Sequence, residues 1–511
     1  MSGLGILTLL TVLPLAGAAI ALFSGKHARL VALISTLISL ALTLAVWARI
    51  PANGSIGLIE RMVWAPSLGI EYHLGVDGLG ALMLVLSAIV TLMSVDAAHR
   101  VHHSPGLYFG LVLVLEAGLF GSFTALNFFH WFLFWELSLI PAFFLIKLWG
   151  GPRRGPAATQ FFIYTMAGSV ALLLAFLAVY LSTGSMDFGR LTDLASTGEL
   201  EQMVTAHLGP GMLGYPVALW LALGVLAGFA VKVPMFPFHT WLPAAYSEAP
   251  TPVTMLLTGA MSKMGVYGLL RIAIPLFGAQ IAQIRTPLLV LAVATVVMGA
   301  WAAVAQKDLK RVFAYSSVNH LGYCLLGIFA LAIPAAGDAV KASQAAALNG
   351  VILQMFNHGL TAAALFWFIT MIQLRSGGGR DIDQFGGLRK PAPVLAGLMG
   401  IALFSSLGLP GLNGFVGEFL IFRGVFPLAW VAATVSILGL LVTAAVILTV
   451  IQKVFSGPLP EHCAGFQDMH HGERMAMAPV IGLMLLLGLL PQIIVDSVNP
   501  TVQNLLAHWR F

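Results

Sequence analysis

Val231-Lys232-Val233-Pro234-Met235-Phe236-Pro237-Phe238-His239 sets a lysine and two prolines at the end of an apolar run. The residues before it, 217–230, read VALWLALGVLAGFA, apolar enough to lie in a bilayer. Lys232 falls about halfway along the apolar span 216–247, so counting residues puts its ammonium near mid-membrane. A charge there costs roughly 2.5–3.5 kcal/mol on insertion scales, which marks it as a functional candidate. Pro234 and Pro237 lack N–H groups, so a helix through them would leave the carbonyls of Ala230 and Val233 unpaired. Broken backbone at membrane depth is tolerated only inside protein or beside water. The sequence therefore predicts a discontinuous helix with Lys232 facing a hydrated protein interior.

Working outward, the 511 residues are 59% hydrophobic and only 9% charged. A soluble protein carries about 25% charged residues, so a soluble globular class is excluded. Apolar runs fall near 4–23, 28–48, 78–98, 107–125, 127–148, 158–182, 216–247, 252–277, 287–305, 309–333, 344–374, 392–425, 428–453 and 474–496. Most approach the ~20 residues that a crossing needs. The expected fold class is thus an all-α integral membrane protein of about fourteen transmembrane helices.

The net charge of +5 reads as topology, not as a nucleic-acid footprint. With the loops assigned alternately, one side collects 15 Lys and Arg, among them Arg100, Arg153, Lys307, Lys310 and Arg380. The other collects 8, among them Arg49, Arg61, Arg190 and Arg271. The positive-inside rule makes the first side cytoplasmic and puts both termini outside. The only cysteines are Cys324 and Cys463, with no C-x-x-C, so neither a disulfide framework nor an iron–sulfur site is indicated. The N-terminus lacks a basic region and a cleavage site, so the first span is expected to be retained. Loops are short, and 183–214, 375–391 and 456–473 are the largest. His470-His471 with Glu473 could ligate a metal, but adjacent loop residues are a poor cage and no metal site is expected. Aromatic-rich runs need no cofactor, since helix packing and interfaces explain them.

A second break is expected where Ser405-Ser406-Leu407-Gly408-Leu409-Pro410-Gly411-Leu412-Asn413-Gly414 interrupts the twelfth run and Glu418 follows. Interrupted spans in corresponding positions of two halves point to an inverted-repeat transporter and its ion path. The spacing fits two inverted five-helix repeats, helices four to eight and nine to thirteen. It divides the chain into 1–105, a first repeat 106–280, a second repeat 281–455, and 456–511.

Several other buried groups can carry protons. Glu136 lies in the fifth span, where a lone carboxylate would take up a proton and one beside Lys232 could stay charged. The alternative is a purely structural ion pair. Lys263 lies about 11 residues into the eighth span with no acidic neighbour within a turn, which suits a group that gives and takes protons. His320 and His358 sit in the tenth and eleventh spans, and histidine bridges proton wires as readily as it packs against a helix. Glu116 fits a hydrated line or a protonated helix–helix contact equally well. His239 fits capping as well as transfer, and Glu248 beside Pro250 reads as a loop-end anchor. Asp77 and His130 near span ends read as structural.

Taken together, Phe134-Trp135-Glu136-Leu137-Ser138, Lys232-Val233-Pro234, Phe238-His239-Thr240-Trp241-Leu242-Pro243, Lys263-Met264-Gly265-Val266-Tyr267-Gly268, Lys310-Arg311-Val312-Phe313-Ala314-Tyr315-Ser316-Ser317 and Gly417-Glu418-Phe419 resemble the M-type antiporter-like membrane subunits of bacterial NADH–quinone oxidoreductase, respiratory complex I. The likeness covers nearly the whole chain. It implies a proton-translocating subunit with Glu136 and Lys232 as a coupled pair, Lys263 as central lysine, His320 and His358 as relay histidines and Glu418 as terminal carboxylate. It further implies no cofactor in this chain, with NADH, FMN, iron–sulfur clusters and quinone belonging to other subunits. The partners it implies are the other membrane subunits of the complex, including neighbouring antiporter-like ones, in a bacterial plasma (inner) membrane. Tyr246 departs from the family, which often has histidine there, and so does Asp77-Gly78-Leu79-Gly80. The alternative is an Mrp-type or hydrogenase-associated cation/proton antiporter subunit. Glu418, where those relatives usually carry lysine, argues against it.

Overall fold

In the computed structural model, residues 5–511 are described, and they are mostly helical. The expected start of the first run, at residue 4, lies outside the described residues. Twelve helices among them are long and apolar enough to cross a membrane: α1 (Ile6–Phe23), α2 (Ala28–Trp47), α3 (Gly78–Ala97), α4 (Pro105–Thr124), α5 (Phe128–Trp149), α6 (Arg154–Thr183), α11 (Thr251–Gln283), α12 (Arg285–Val304), α13 (Leu309–Ala330), α14 (Asp338–Arg375), α17 (Trp430–Phe455) and α18 (His471–Leu489). The seventh and twelfth apolar runs are each split into two pieces. The first split gives α9 (Val217–Lys232) and α10 (Trp241–Glu248), and the second gives α15 (Pro393–Leu407) and α16 (Asn413–Leu428).

The all-α membrane class holds, with two small ribbons added: β1 (Gly57–Ala65) and β2 (Ile70–Val76) form an antiparallel hairpin, and β3 (Gly211–Met212) pairs β4 (Tyr215–Pro216). A search for runs of membrane length passes over such short alternating strands. The stretch 183–214 is not a plain loop but holds α7 (Phe188–Thr197) and α8 (Glu199–Leu208). The last run ends early: Pro491 follows α18, and a separate helix, α19 (Gln492–His508), comes after it.

α11, α13 and α14 are buried along almost their whole length, whereas α1, α2, α12, α17 and α18 are less than half buried. Helices apolar all round and buried form the centre, and those with one bare apolar face line the rim. Counted as loop residues by sequence, Arg271 and Lys310 belong instead to this centre. Arg271 is buried in α11 against Asp77, and Lys310 in α13 donates to the Ala249 carbonyl. The charge asymmetry of the loops survives their removal.

Small residues bring α14 and α16 together. A Cβ on Gly350 would lie 2.4 Å from the Ile421 nitrogen, and one on Gly424 2.3 Å from the Ala347 nitrogen. Close approach of backbones through small residues is how membrane helices associate without a hydrophobic driving force. Gly350→Ala therefore pushes the two helices apart and costs about 1–3 kcal/mol, the usual range for overpacking. Its expected signature is a smaller yield of assembled protein on native gels.

At the first break, α9 stops at Lys232, and backbone groups there find protein partners. Ala230, whose carbonyl was expected to be free, accepts from the Met235 nitrogen at 2.8 Å. The Val231 carbonyl accepts from Trp241 Nε1 at 3.0 Å, and the Phe236 nitrogen donates to Thr295 Oγ1 at 2.9 Å. At the second break Gly408 takes φ 80°, which glycine adopts without steric cost, and the Leu409 nitrogen closes onto the Phe404 carbonyl at 3.0 Å. Pro410 lies in the connection, and the helix restarts at Asn413.

Candidate functional site

Lys263 sits in α11 between two π-helical turns, Leu257–Met261 and Leu269–Ala273. A π turn carries one residue too many and recurs at functional sites. Here the Ser262 nitrogen bonds back to the Leu257 carbonyl at 3.1 Å, which leaves the Thr258 carbonyl for side chains. Lys263 Nζ donates to that carbonyl at 2.6 Å and lies 2.8 Å from His358 Nδ1 and 3.4 Å from Ser262 Oγ. The ammonium has no carboxylate partner within 4.0 Å among the described residues. Hydrogen-bond acceptors alone hold a fully buried cation.

From His358 the line continues across three helices. The His358 and His320 rings are 5.1 Å apart between centroids, tilted by 33°. His320 Nδ1 lies 3.0 Å from Glu418 Oε1, and Gln354 Nε2 stands 3.4 Å from both. His320 Nε2 faces Ser406 Oγ at 3.3 Å. A cavity bounded by His320, His358, Gln354, Asn357, Ser406 and Glu418 leaves about 20 Å³ for water centres, room for a single molecule. Thus α11, α13, α14 and α16 each contribute one of the four titratable groups, Lys263, His320, His358 and Glu418. The second break supplies the floor: Ser405 Oγ donates to Asn413 Oδ1 at 2.7 Å, and Asn357 Nδ2 donates to the Asn413 carbonyl at 2.6 Å.

The first half of the expected set is less tightly assembled. Lys232 is buried, with its ammonium 4.7 Å above the Trp135 ring. Glu136 follows Trp135 in α5, and no ion pair within 4.0 Å joins it to Lys232. Its Oε1 is buried without a hydrogen-bond partner. Glu116 in α4 is fully buried and both its oxygens lack partners. His239 lies apart from the line, half-buried and stacked on Phe236 at 5.6 Å. Glu248 accepts from the Arg153 nitrogen at 2.9 Å, and its own carbonyl accepts from Gly151, both of which tie α10 to the α5–α6 turn. Asp77 caps α3 through the Gly80 nitrogen at 3.0 Å.

Sequence reasoning passed over Gln354, Asn357, Ser406, Thr258 and Asn413. Their signal was present, since each is a polar residue inside an apolar run, but neutral side chains are cheap enough at membrane depth to look incidental. Tyr246 donates its hydroxyl to the Leu257 carbonyl at 3.0 Å, so the departure from histidine places a neutral group on the π turn. Glu473 accepts from the His470 nitrogen at 2.9 Å and pairs with Arg375, a helix cap rather than a ligand set.

With this geometry in hand, the comparisons with known proteins converge. The family model described as NADH:quinone oxidoreductase/Mrp antiporter, transmembrane, matches residues 125–447. The chain belongs to that family. NADH:quinone oxidoreductase/Mrp antiporter relatives are similar over the full length: NADH-quinone oxidoreductase subunit M of Rhodobacter capsulatus is 34% identical over 99% of this chain and 97% of its own. A chain of respiratory complex I from Thermus thermophilus superposes with a TM-score of 0.85 at 28% identity, covering 99% of this chain and 100% of that one. A chain of the Mrp complex from Dietzia sp. shares the fold, with a TM-score of 0.84 at 22% identity over 99% and 98% of the two chains. The matched range 125–447 takes in Glu136, Lys232, Lys263, His320, His358 and Glu418.

Proposed function

We propose that this chain is a proton-translocating membrane subunit of an NADH:quinone oxidoreductase, carrying no redox centre itself and driven by electron transfer elsewhere in the complex. The observation that carries the reading is the contact line Lys263–His358–His320–Glu418 through the buried centre. Counting the two split segments with the twelve long helices gives fourteen crossings, with the breaks in the seventh and twelfth. This is the arrangement expected of two inverted repeats, 106–280 and 281–455. Neighbouring antiporter-like subunits would flank the chain in a bacterial plasma (inner) membrane, with both termini on the outer side.

In this reading Lys263 Nζ hands its proton to His358 Nδ1, breaking one N–H bond as another forms. A water in the small cavity carries it to His320, which passes it to the Glu418 carboxylate 3.0 Å away. Gln354 and Ser406 hold the two acceptors in place. Lys232 ends the helix that packs on α11: a Cβ on Gly265 of α11 would lie 3.2 Å from Lys232 Cβ. Glu136 sets the charge of Lys232 from the adjoining helix, with no direct bond between them.

Glu418→Gln keeps the shape and removes the acceptor of the last step. In vesicles holding the assembled complex, NADH-driven acidification is expected to fall severalfold while the chain stays assembled. Normal pumping at normal NADH turnover would overturn the assignment of the line. Sodium-driven proton exchange in vesicles that lack any dehydrogenase would favour the Mrp-type alternative.

A further inference from the structure

The structure assigns a divalent-metal site, of the zinc class, to Glu71, His73 and Asp187 on the face poorer in lysine and arginine, away from the buried line. One ligand atom from each of the three lies within 4.8 Å of the other two. The set mixes an imidazole with two carboxylates, the donor chemistry that zinc takes with a water completing its tetrahedron. It is not an accident of flexible side chains, because three remote segments are tied together by backbone. Glu71 and His73 alternate along β2 and so share one face of the strand. The His73 carbonyl accepts from the Leu126 nitrogen at 2.9 Å, the Leu126 carbonyl from the Phe188 nitrogen at 2.9 Å, and the Met186 carbonyl from the Phe128 nitrogen at 2.8 Å. These bonds fix Asp187 opposite His73.

Each carboxylate has an oxygen outside the bonds that shape the fold. Asp187 Oδ1 caps α7 through the Arg190 nitrogen at 3.0 Å, while Oδ2 receives a bond from His73 Nδ1 at 2.6 Å. Without a metal, Glu71 is occupied by Arg61, whose Nη2 lies 2.6 Å away. Arg61 is mostly exposed, and exposed pairs contribute little, so it is a weak competitor for the site. A cavity of about 370 Å³ reaches His73 and provides the entry path. As the ion enters, the His73 Nδ1–H bond breaks, the proton leaves to water, and the freed nitrogen lone pair forms the bond to the metal.

The test is Zn²⁺ titration against a chromophoric chelator, on the full chain purified in its membrane complex. Wild type is expected to bind one Zn²⁺ that His73→Ala loses and that Glu71→Gln binds at least tenfold more weakly. Arg61→Gln should bind more tightly than wild type, an outcome that a damaged fold cannot imitate. Glu473→Gln, in the other His/Glu group, should leave the stoichiometry alone. Equal Zn²⁺ uptake by wild type and His73→Ala, or weaker binding by Arg61→Gln, overturns the proposal.

Discussion

Lys263→Met removes NADH-driven proton translocation while leaving the chain assembled. Methionine is close to lysine in length and apolar, so it fits the buried slot beside α14 with little repacking. What disappears is the only group of α11 that bonds at once to the Thr258 carbonyl and to His358 Nδ1. The line from α11 to α16 then begins at a histidine with no donor behind it. We expect the proton flux through this chain to drop by about a hundredfold or more, the lower edge of what a positioned proton donor contributes. Acidification of vesicles followed with a pH-sensitive dye, with NADH oxidation recorded on the same sample, reads both quantities. Unchanged flux would remove Lys263 from the path.

The largest effect on stability is expected at Asp77. Its carboxylate caps α3 and pairs with Arg271 of α11, and both groups are almost wholly buried. Taking away one member of a buried pair strands the other charge in a poor solvent, at about 3–5 kcal/mol. Asp77→Ala should therefore abolish accumulation of the assembled protein, since 3–5 kcal/mol is a large part of a typical margin of stability. Removing both charges, as in Asp77→Leu with Arg271→Met, should recover part of the loss, because no orphan charge remains. Native-gel yields of the single and double variants decide the matter. A double variant worse than either single would contradict it.

Much of this was legible in the chain itself. Runs of about 20 apolar residues read out the long helices, and proline with glycine inside such runs read out both breaks, because the membrane forbids free backbone whatever its surroundings. The four titratable groups of the line were legible because charge at that depth is costly. Less was legible where the cost is small or the pattern short. Neutral Gln354 and Asn357 carry no penalty large enough to be noticed. The β1–β2 hairpin is too short for a hydropathy window to register. Contacts between segments far apart were not legible at all: Arg271 looked like a loop cation until Asp77, 194 residues earlier, turned out to be its partner. The spacing of Glu136 from Lys232 likewise depends on how α5 packs against α9, which no local motif encodes.

The π turn before Lys263 has a genetic corollary. The helix there is one residue longer than regular winding needs, so excising a single residue from 257–261 would let α11 close up while the stretches on both sides keep their register. The shortened helix would be more regular, yet the Thr258 oxygen would be drawn back into the ladder and the lysine would lose its acceptor. Chains that preserve the proposed proton path must preserve an irregularity, and a one-residue gap at this point should separate relatives that keep the lysine's cradle from those that have given it up.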